Sequence, residues 1–276
     1  MVRTKKFIFN IFSFAAAVLI ITWTFYPLLW ILISSFKPVQ AQNAYPPIWF
    51  NFKPTLDNYI HFFTESEFLR VAFNSIIVTG FSTILSLIIG TPTAYSLARF
   101  DHKHSTKILT FVLLSRMTPP IVMVLPLFMM ARFLGITDTY LTLVLIGGLL
   151  SVPFVIWMMR GFFSDIPVAL EEAAMVDGST RRQAITRVIL PLVAPGLAAT
   201  AVLCSLLVWN EFLFILILGG KSTRTFPVLI NMFVTEQSVE WGVMSAAAII
   251  TVLPLIVFGL AAQKYLVRGL TMGSIK

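Results

Sequence analysis

Three consecutive residues, Trp209, Asn210 and Glu211, set an indole beside an amide and a carboxylate inside an otherwise apolar run. Such a set suits a polyhydroxylated solute, because hydroxyls exchange hydrogen bonds with the polar groups while an apolar sugar face stacks on the ring. The same residues would serve equally as polar glue between helices, and both readings stand at this point. His102 and His104 form an H-x-H pair, but no carboxylate or cysteine set completes a zinc site in their basic loop. Solvated histidines and no metal are expected there. His61, in "NYIHFF", belongs to no recognisable site motif, and Cys204, the lone cysteine, cannot form an internal disulfide. No nucleophile, base and orienting acid come together, so a non-catalytic chain is expected.

The elements that carry these residues follow from composition. Of 276 residues, 58% are hydrophobic and 12% charged, against roughly 25% charged in soluble domains. The charges are clumped. Uncharged windows of 30 residues lie between Lys6 and Lys37, 28 between Arg70 and Arg99, and 21 between Asp138 and Arg160. Two windows of 23 follow, between Arg187 and Glu211 and between Glu240 and Lys264. Each exceeds the roughly 20 residues that a helix needs to cross a bilayer. Residues 108–131 make a sixth stretch, broken only by Arg116. An all-α, polytopic membrane protein with six spanning helices and one domain over residues 1–276 is expected, without internal repeat or linker. A transmembrane barrel is excluded, since these runs are continuous rather than alternating. The basic residues 1–6 precede an apolar run too long for a secretory signal, so it reads as a retained first helix.

The net charge of +8 invites a nucleic-acid reading that the placement of the cations rejects. With the N-terminus in the cytoplasm, 13 of the 20 Lys and Arg residues fall inside, six outside and Arg116 within a helix. The positive-inside rule therefore puts both termini in the cytoplasm and the partner surface in the lipid bilayer. Arg116 lies about 12 Å from the inner edge of its helix and Glu211 roughly 28 Å from that of its own. The two are not expected to pair. Pro119, Pro120 and Pro126 predict a kinked or interrupted third helix, since each removes a backbone donor.

The most polar long stretch, "EEAAMVDGSTRRQAITRVILPLVAPG" (171–196), reads as two short helices around a turn. Pro167 suits a first helical turn, a helix of about 10 to 12 residues runs toward Gly178, and Gly178 supplies the left-handed position that ends it. Ser179 or Thr180 caps a second helix that runs to Pro191. Leu170, Ala173, Ala174 and Asp177 share a face, with Glu171 and Glu172 beside it. A docking element and an ordinary surface helix pair both fit that pattern.

"EAAMVDG" (172–178), followed nine residues later by "VILP" (188–191), resembles the EAA loop of ABC importer permeases, with Val188 at the usual isoleucine. "FNSIIVTG", "AYSLARF", "WNEF" and the tail "QKYLVRGLTMGSIK" agree in order with the carbohydrate-uptake branch, in particular the MalG-like family. The resemblance implies a type I ABC importer permease fold in a bacterial or archaeal cytoplasmic membrane, with residues 161–191 as a cytoplasmic coupling loop. Its implied ATPase-coupling residues are Glu172, Ala173, Ala174, Gly178, Val188, Leu190 and Pro191, and Trp209, Asn210 and Glu211 are candidates for the substrate pathway. It further implies a MalF-like second permease, an ATPase dimer that binds ATP and Mg, and an extracytoplasmic solute-binding protein that delivers a sugar. The C-terminal tail would reach toward the ATPases, and residues 219–240 toward the binding protein. Transport of a polyol or a glycerol-phosphate-type solute stays open, as does a remote ion-driven mechanism. This chain carries no P-loop: "LGGKST" (218–223) lacks the first glycine of that pattern, so no cofactor is expected on the chain itself.

Overall fold

The computed structural model describes residues 2–65, 67–100, 105–235 and 239–272. Apart from one isolated β-bridge, Val234 to Val239, the regular elements among these residues are helical. In order they are α1 (Val2–Ser35), α2 (Val39–Gln42), α3 (Asp57–Glu65), α4 (Phe68–Arg99), α5 (Ser105–Met117), α6 (Pro120–Phe133) and α7 (Tyr140–Ser164). Then come α8 (Val168–Val176), α9 (Arg181–Ala184), a π-helical turn (Ile185–Ile189), α10 (Leu190–Trp209), α11 (Leu213–Leu218), α12 (Phe226–Asn231) and α13 (Trp241–Met272).

Five spans are long and apolar enough to cross a bilayer: Phe12–Ser35, Phe68–Arg99, Tyr140–Ser164, Arg181–Trp209 and Trp241–Leu260. The third stretch is interrupted, as its prolines predict, into two pieces bent by 91°. The break falls at residues 118–119, where Pro119 and Pro120 withhold two backbone donors in succession. Pro126, by contrast, is absorbed inside α6. At 13 and 14 residues, each piece is about 20 Å long and falls short of the roughly 30 Å hydrocarbon core. The count is therefore five continuous spans, or six if the bent pair acts as one.

The chain divides into two compact units. Residues 69–229 and 254–276 form one of them. Its interior has two apolar clusters, one around Val78, Leu143, Val208 and Phe214 and one around Tyr95, Met159, Phe163, Ile189 and Val193. Helix approach here relies on small residues, because lipid supplies no hydrophobic drive for helices to associate. At Gly196 in α10, a Cβ would lie 2.5 Å from the Phe162 ring of α7.

The same unit pins its interhelical loops by polar side chains. Asn74, wholly buried in α4, donates to the carbonyls of Ser222 (2.9 Å) and Arg224 (2.8 Å) and accepts from the Tyr140 hydroxyl at 2.6 Å. Ser75 Oγ accepts the Phe226 amide at 3.1 Å. Asp138, between α6 and α7, accepts from Thr223 Oγ1 (2.8 Å) and from the Thr223 and Ser222 amides (3.0 and 3.2 Å). Burial by itself would raise the Asp138 carboxyl, but these hydrogen bonds outweigh it and hold its pKa below the usual value. Residues 1–68 and 230–253 form the other unit, in which Phe62 is fully buried beside Phe63, Phe68 and Phe233.

Two outcomes follow from these contacts. Gly196→Leu should overpack α10 against α7 and cost about 1–3 kcal/mol, seen as a lowered thermal midpoint in detergent; an unchanged midpoint would refute the close approach. Because the folded pKa of Asp138 is depressed, its clamp is fully present above the ordinary carboxylate pKa and is lost as pH falls through the folded value. Protection of the Ser222 and Thr223 amides, corrected for intrinsic exchange, should decline over that acid range and be insensitive to it in Asp138→Asn.

Candidate coupling site

The polar loop folds as its local chemistry dictates. Pro167 precedes α8, and the helix runs nine residues to Val176, slightly shorter than the spacing predicts. Gly178 follows with φ +90°, a conformation that an L side chain rarely adopts. Thr180 caps α9 through a full capping box: its side chain accepts the Gln183 amide at 3.3 Å, while Gln183 Oε1 accepts the Thr180 amide at 2.8 Å. The second helix does not stop at Pro191. It passes through the π-helical turn into α10, so that residues 181–209 form one span. The turn explains why: the Leu190 amide reaches back to Ile185, and the wider winding accommodates a proline without a donor.

Glu172 and Ala173 are exposed, Ala174 is half-buried and Gly178 is exposed with nothing near it. Leu170 and Val176 add apolar surface on α8, and Val176 is 86% exposed. Val188 and Leu190 instead pack against the cluster around Met159 and Phe163, and Pro191 is exposed. The loop thus offers a bare, mostly small and apolar helix edged by carboxylates. Its opposite side is fastened.

That fastening falls on residues outside the predicted set. Glu171, 4% exposed, accepts a short hydrogen bond from the Tyr95 hydroxyl, and its other oxygen lies 3.4 Å from Nε of Arg99. Arg99 Nη1 also donates to the Ile166 carbonyl at 2.9 Å, just before α8 begins. Tyr95 and Arg99 are one helical turn apart at the end of α4, so both face the same glutamate. "AYSLARF" carried that i, i+4 signal, but its partner lies 76 residues away in sequence. Of two adjacent glutamates, the fold buries one and leaves the other free.

The predicted pathway residues lie at a break, not inside a continuous fifth helix. α10 ends at Trp209, and Glu211 Oε1 accepts the Phe214 amide at 3.1 Å, where α11 starts. Asn210 is exposed and bonds back to the Leu206 carbonyl at 2.7 Å. Trp209 is 3% exposed, with its ring 5.9 Å from Phe226 and its indole N–H unpartnered. It lines a mainly apolar cavity of about 320 Å³ with Thr79, Thr83 and Ser205, and the Thr83 hydroxyl is also unpartnered. Arg116 does not meet Glu211; its guanidinium sits 5.9 Å over Phe154 and donates to the Leu150 carbonyl at 3.3 Å. His102, His104 and the tail residues 273–276 lie outside the described residues.

Several helices long and apolar enough to cross a bilayer, one broken pair and a polar loop clamped to one helix end define a multi-pass membrane protein. The chain belongs to the family of binding-protein-dependent transport system inner membrane components, whose model matches residues 86–272. It is 35% identical over 263 residues to the sulfoquinovosyl glycerol transport system permease protein of Agrobacterium fabrum, covering 95% of this chain and 92% of the relative. The diacetylchitobiose uptake system permease protein of Streptomyces coelicolor is 34% identical, covering 94% and 95%. So is the trehalose/maltose transport system permease protein of Thermococcus litoralis, at 34% and 94% of each chain. In fold, the chain resembles a subunit of a bacterial ABC transporter involved in the import of the acidic polysaccharide alginate. The TM-score is 0.76 at 23% identity, over 94% of this chain and 96% of that one.

The two glutamates should respond oppositely to substitution. Glu171→Gln leaves Arg99 buried without its counter-charge and should cost about 3–5 kcal/mol of stability. Glu172→Gln, at an exposed position, should change it by no more than about 0.5 kcal/mol. Unfolding of the purified subunit in a mild detergent measures both, and equal losses would contradict the division of roles.

Proposed function

We infer that this chain is the membrane-spanning subunit of an ATP-driven importer that takes a carbohydrate from a solute-binding protein. The family match and the fold support the importer. The substrate class rests on relatives named for sulfoquinovosyl glycerol, diacetylchitobiose and trehalose or maltose, which favours a glycoside over a polyol or a glycerol phosphate. In this reading α8 seats in a groove of a partner ATPase. Glu172 meets a basic group there, Ala173 and Ala174 permit close approach, and Gly178 fixes the turn that aims the helix. Val188, Leu190 and Pro191 act from behind by holding the loop to its span. ATP and Mg belong to the ATPase, which leaves this subunit non-catalytic, and a MalF-like permease completes the pathway. The distribution of basic residues puts both termini, and the tail, on the ATPase side.

The single observation that carries the coupling role is the asymmetry of α8: one side locked to Arg99 and Tyr95, the other bare and apolar in a loop that water would otherwise keep polar. Trp209, Asn210 and Glu211 are assigned to the pathway side on the chemistry of an indole beside an amide and a carboxylate, and Trp209 and Thr83 line the same mainly apolar cavity. The complex, reconstituted in proteoliposomes, should take up labelled trehalose, maltose, diacetylchitobiose or sulfoquinovosyl glycerol only with ATP and the loaded binding protein present. Glu172→Lys should lower receptor-stimulated ATP hydrolysis roughly tenfold with the subunit still inserted. Uptake that follows an imposed ion gradient without ATP would overturn the function, and normal stimulation in Glu172→Lys would overturn the coupling assignment alone.

A further inference from the structure

At the end of α1 opposite its basic start, Lys37 is 3% exposed. Its ammonium stands 4.2 Å from the centroid of the Trp30 ring and 5.7 Å from that of Phe52. Those rings stabilise a cation without neutralising it. Among the described residues no carboxylate forms an ion pair with Lys37. A lysine at a helix end ordinarily snorkels into water, yet this one is enclosed, and burial depresses its pKa.

The enclosure is built, not incidental. The Lys37 carbonyl accepts from Asn58 Nδ2 at 2.9 Å and from Gln42 Nε2 at 2.6 Å, and Asn58 Nδ2 also donates to the Ser35 carbonyl at 2.9 Å. Ser35 Oγ is hydrogen-bonded to the Tyr59 hydroxyl at 2.8 Å, and Gln42 Oε1 accepts the Gly242 amide at 2.9 Å. Four side chains from α1, α2 and α3 thus fix the backbone from which Lys37 projects. The lysine lines a cavity of about 450 Å³ with Trp30, Ser34, Gln42, Trp241 and Ser245. Ile31 and Met244 complete a mainly apolar lining in which Lys37 is the only charge, and the Gln42 amide is already held by the Lys37 carbonyl and the Gly242 amide.

We propose that the cavity binds the phosphate-bearing headgroup of a net-anionic phospholipid, with Lys37 as its counter-charge. Tryptophans beside the end of a spanning helix mark headgroup depth, and a half-desolvated ammonium that meets rings but no carboxylate gains from an anion brought beside it. A zwitterionic headgroup would bring a second cation beside Lys37, so net negative charge is what the site selects. The acyl chain has a place on the same helix. Leu19, Thr22 and Tyr26 recur at helical spacing below the half-buried Trp30, and none of the apolar window of α1 is buried. Leu19 lies about 16 Å below Trp30, which is the hydrocarbon depth of one leaflet, half of roughly 30 Å.

Native mass spectrometry of the assembled complex, released from nanodiscs that contain phosphatidylglycerol or phosphatidylcholine, tests this. The wild type should retain one phosphatidylglycerol per copy of this chain, Lys37→Arg should keep it, and Lys37→Met should lower its occupancy about fivefold or more. Equal retention of the two lipids by the wild type would overturn the proposal, even if Lys37→Met fails to assemble. Unaltered retention in an assembled Lys37→Met complex would do the same. Displacement of the lipid by inorganic phosphate would also overturn it, since it would show a site filled from solution rather than from the bilayer.

Discussion

A charge pair sealed from water joins the polar part of this protein to the apolar part. Glu171 lies in the loop, Arg99 and Tyr95 at the end of a long membrane helix, and each member of the pair is about 95% buried at its side chain. Two charges in that position are tolerable only together, because either one alone would bear the full cost of desolvation. Displacing α8 therefore either carries the end of α4 along or separates two buried charges. In the proposed coupling role, such a joint would pass a displacement of α8 to the membrane helix, with exposed surface left on the other side of α8. The bond from Arg99 to the Ile166 carbonyl fixes the strand of chain that enters α8, so the joint holds both the helix and its approach.

Backbone bookkeeping accounts for the irregular places. A bilayer offers no water to an orphaned carbonyl, so a break in a spanning helix needs protein or a wet cavity beside it. Three such departures among the described residues are handled differently. At Pro119 and Pro120 two donors are lost in succession and the helix turns by 91°. At Pro191 a single lost donor is taken up by a π-helical turn, and the span continues. At residues 210–212 no proline is involved. There the Glu211 carboxylate satisfies an amide at the start of α11, which makes an intramembrane-looking charge a helix cap.

These cases show why parts of the structure were readable in advance and others were not. Gly178 and Thr180 act within four residues of themselves, through a positive φ and a capping box, and both were legible from residue type and spacing. Pro191 reads as a stop by the same local logic, but the widened turn before it, packed through Ile189 into the Met159 and Phe163 cluster, lets the helix run on. Glu211 looked like a charge within a helix because the end of α10 carries no proline or glycine to announce it. Glu171 and Glu172 are identical side by side, and nothing local distinguishes the one that will be buried.

By itself the sequence determined the class of protein, since long uncharged windows have no stable home but lipid, and it determined the polar loop, whose turn and cap depend on near neighbours. It also placed the loop among those of importer permeases through the spacing from Glu172 to Pro191. Only the tertiary structure decided which glutamate meets Arg99, which polar residues of α4 hold the segment around Ser222, and that Lys37 is enclosed instead of solvated. Those outcomes depend on pairing residues tens to more than a hundred positions apart. Charge and hydrogen-bonding potential are written in each residue, but whether they are spent inside the protein or left for a partner is settled by what packs against them.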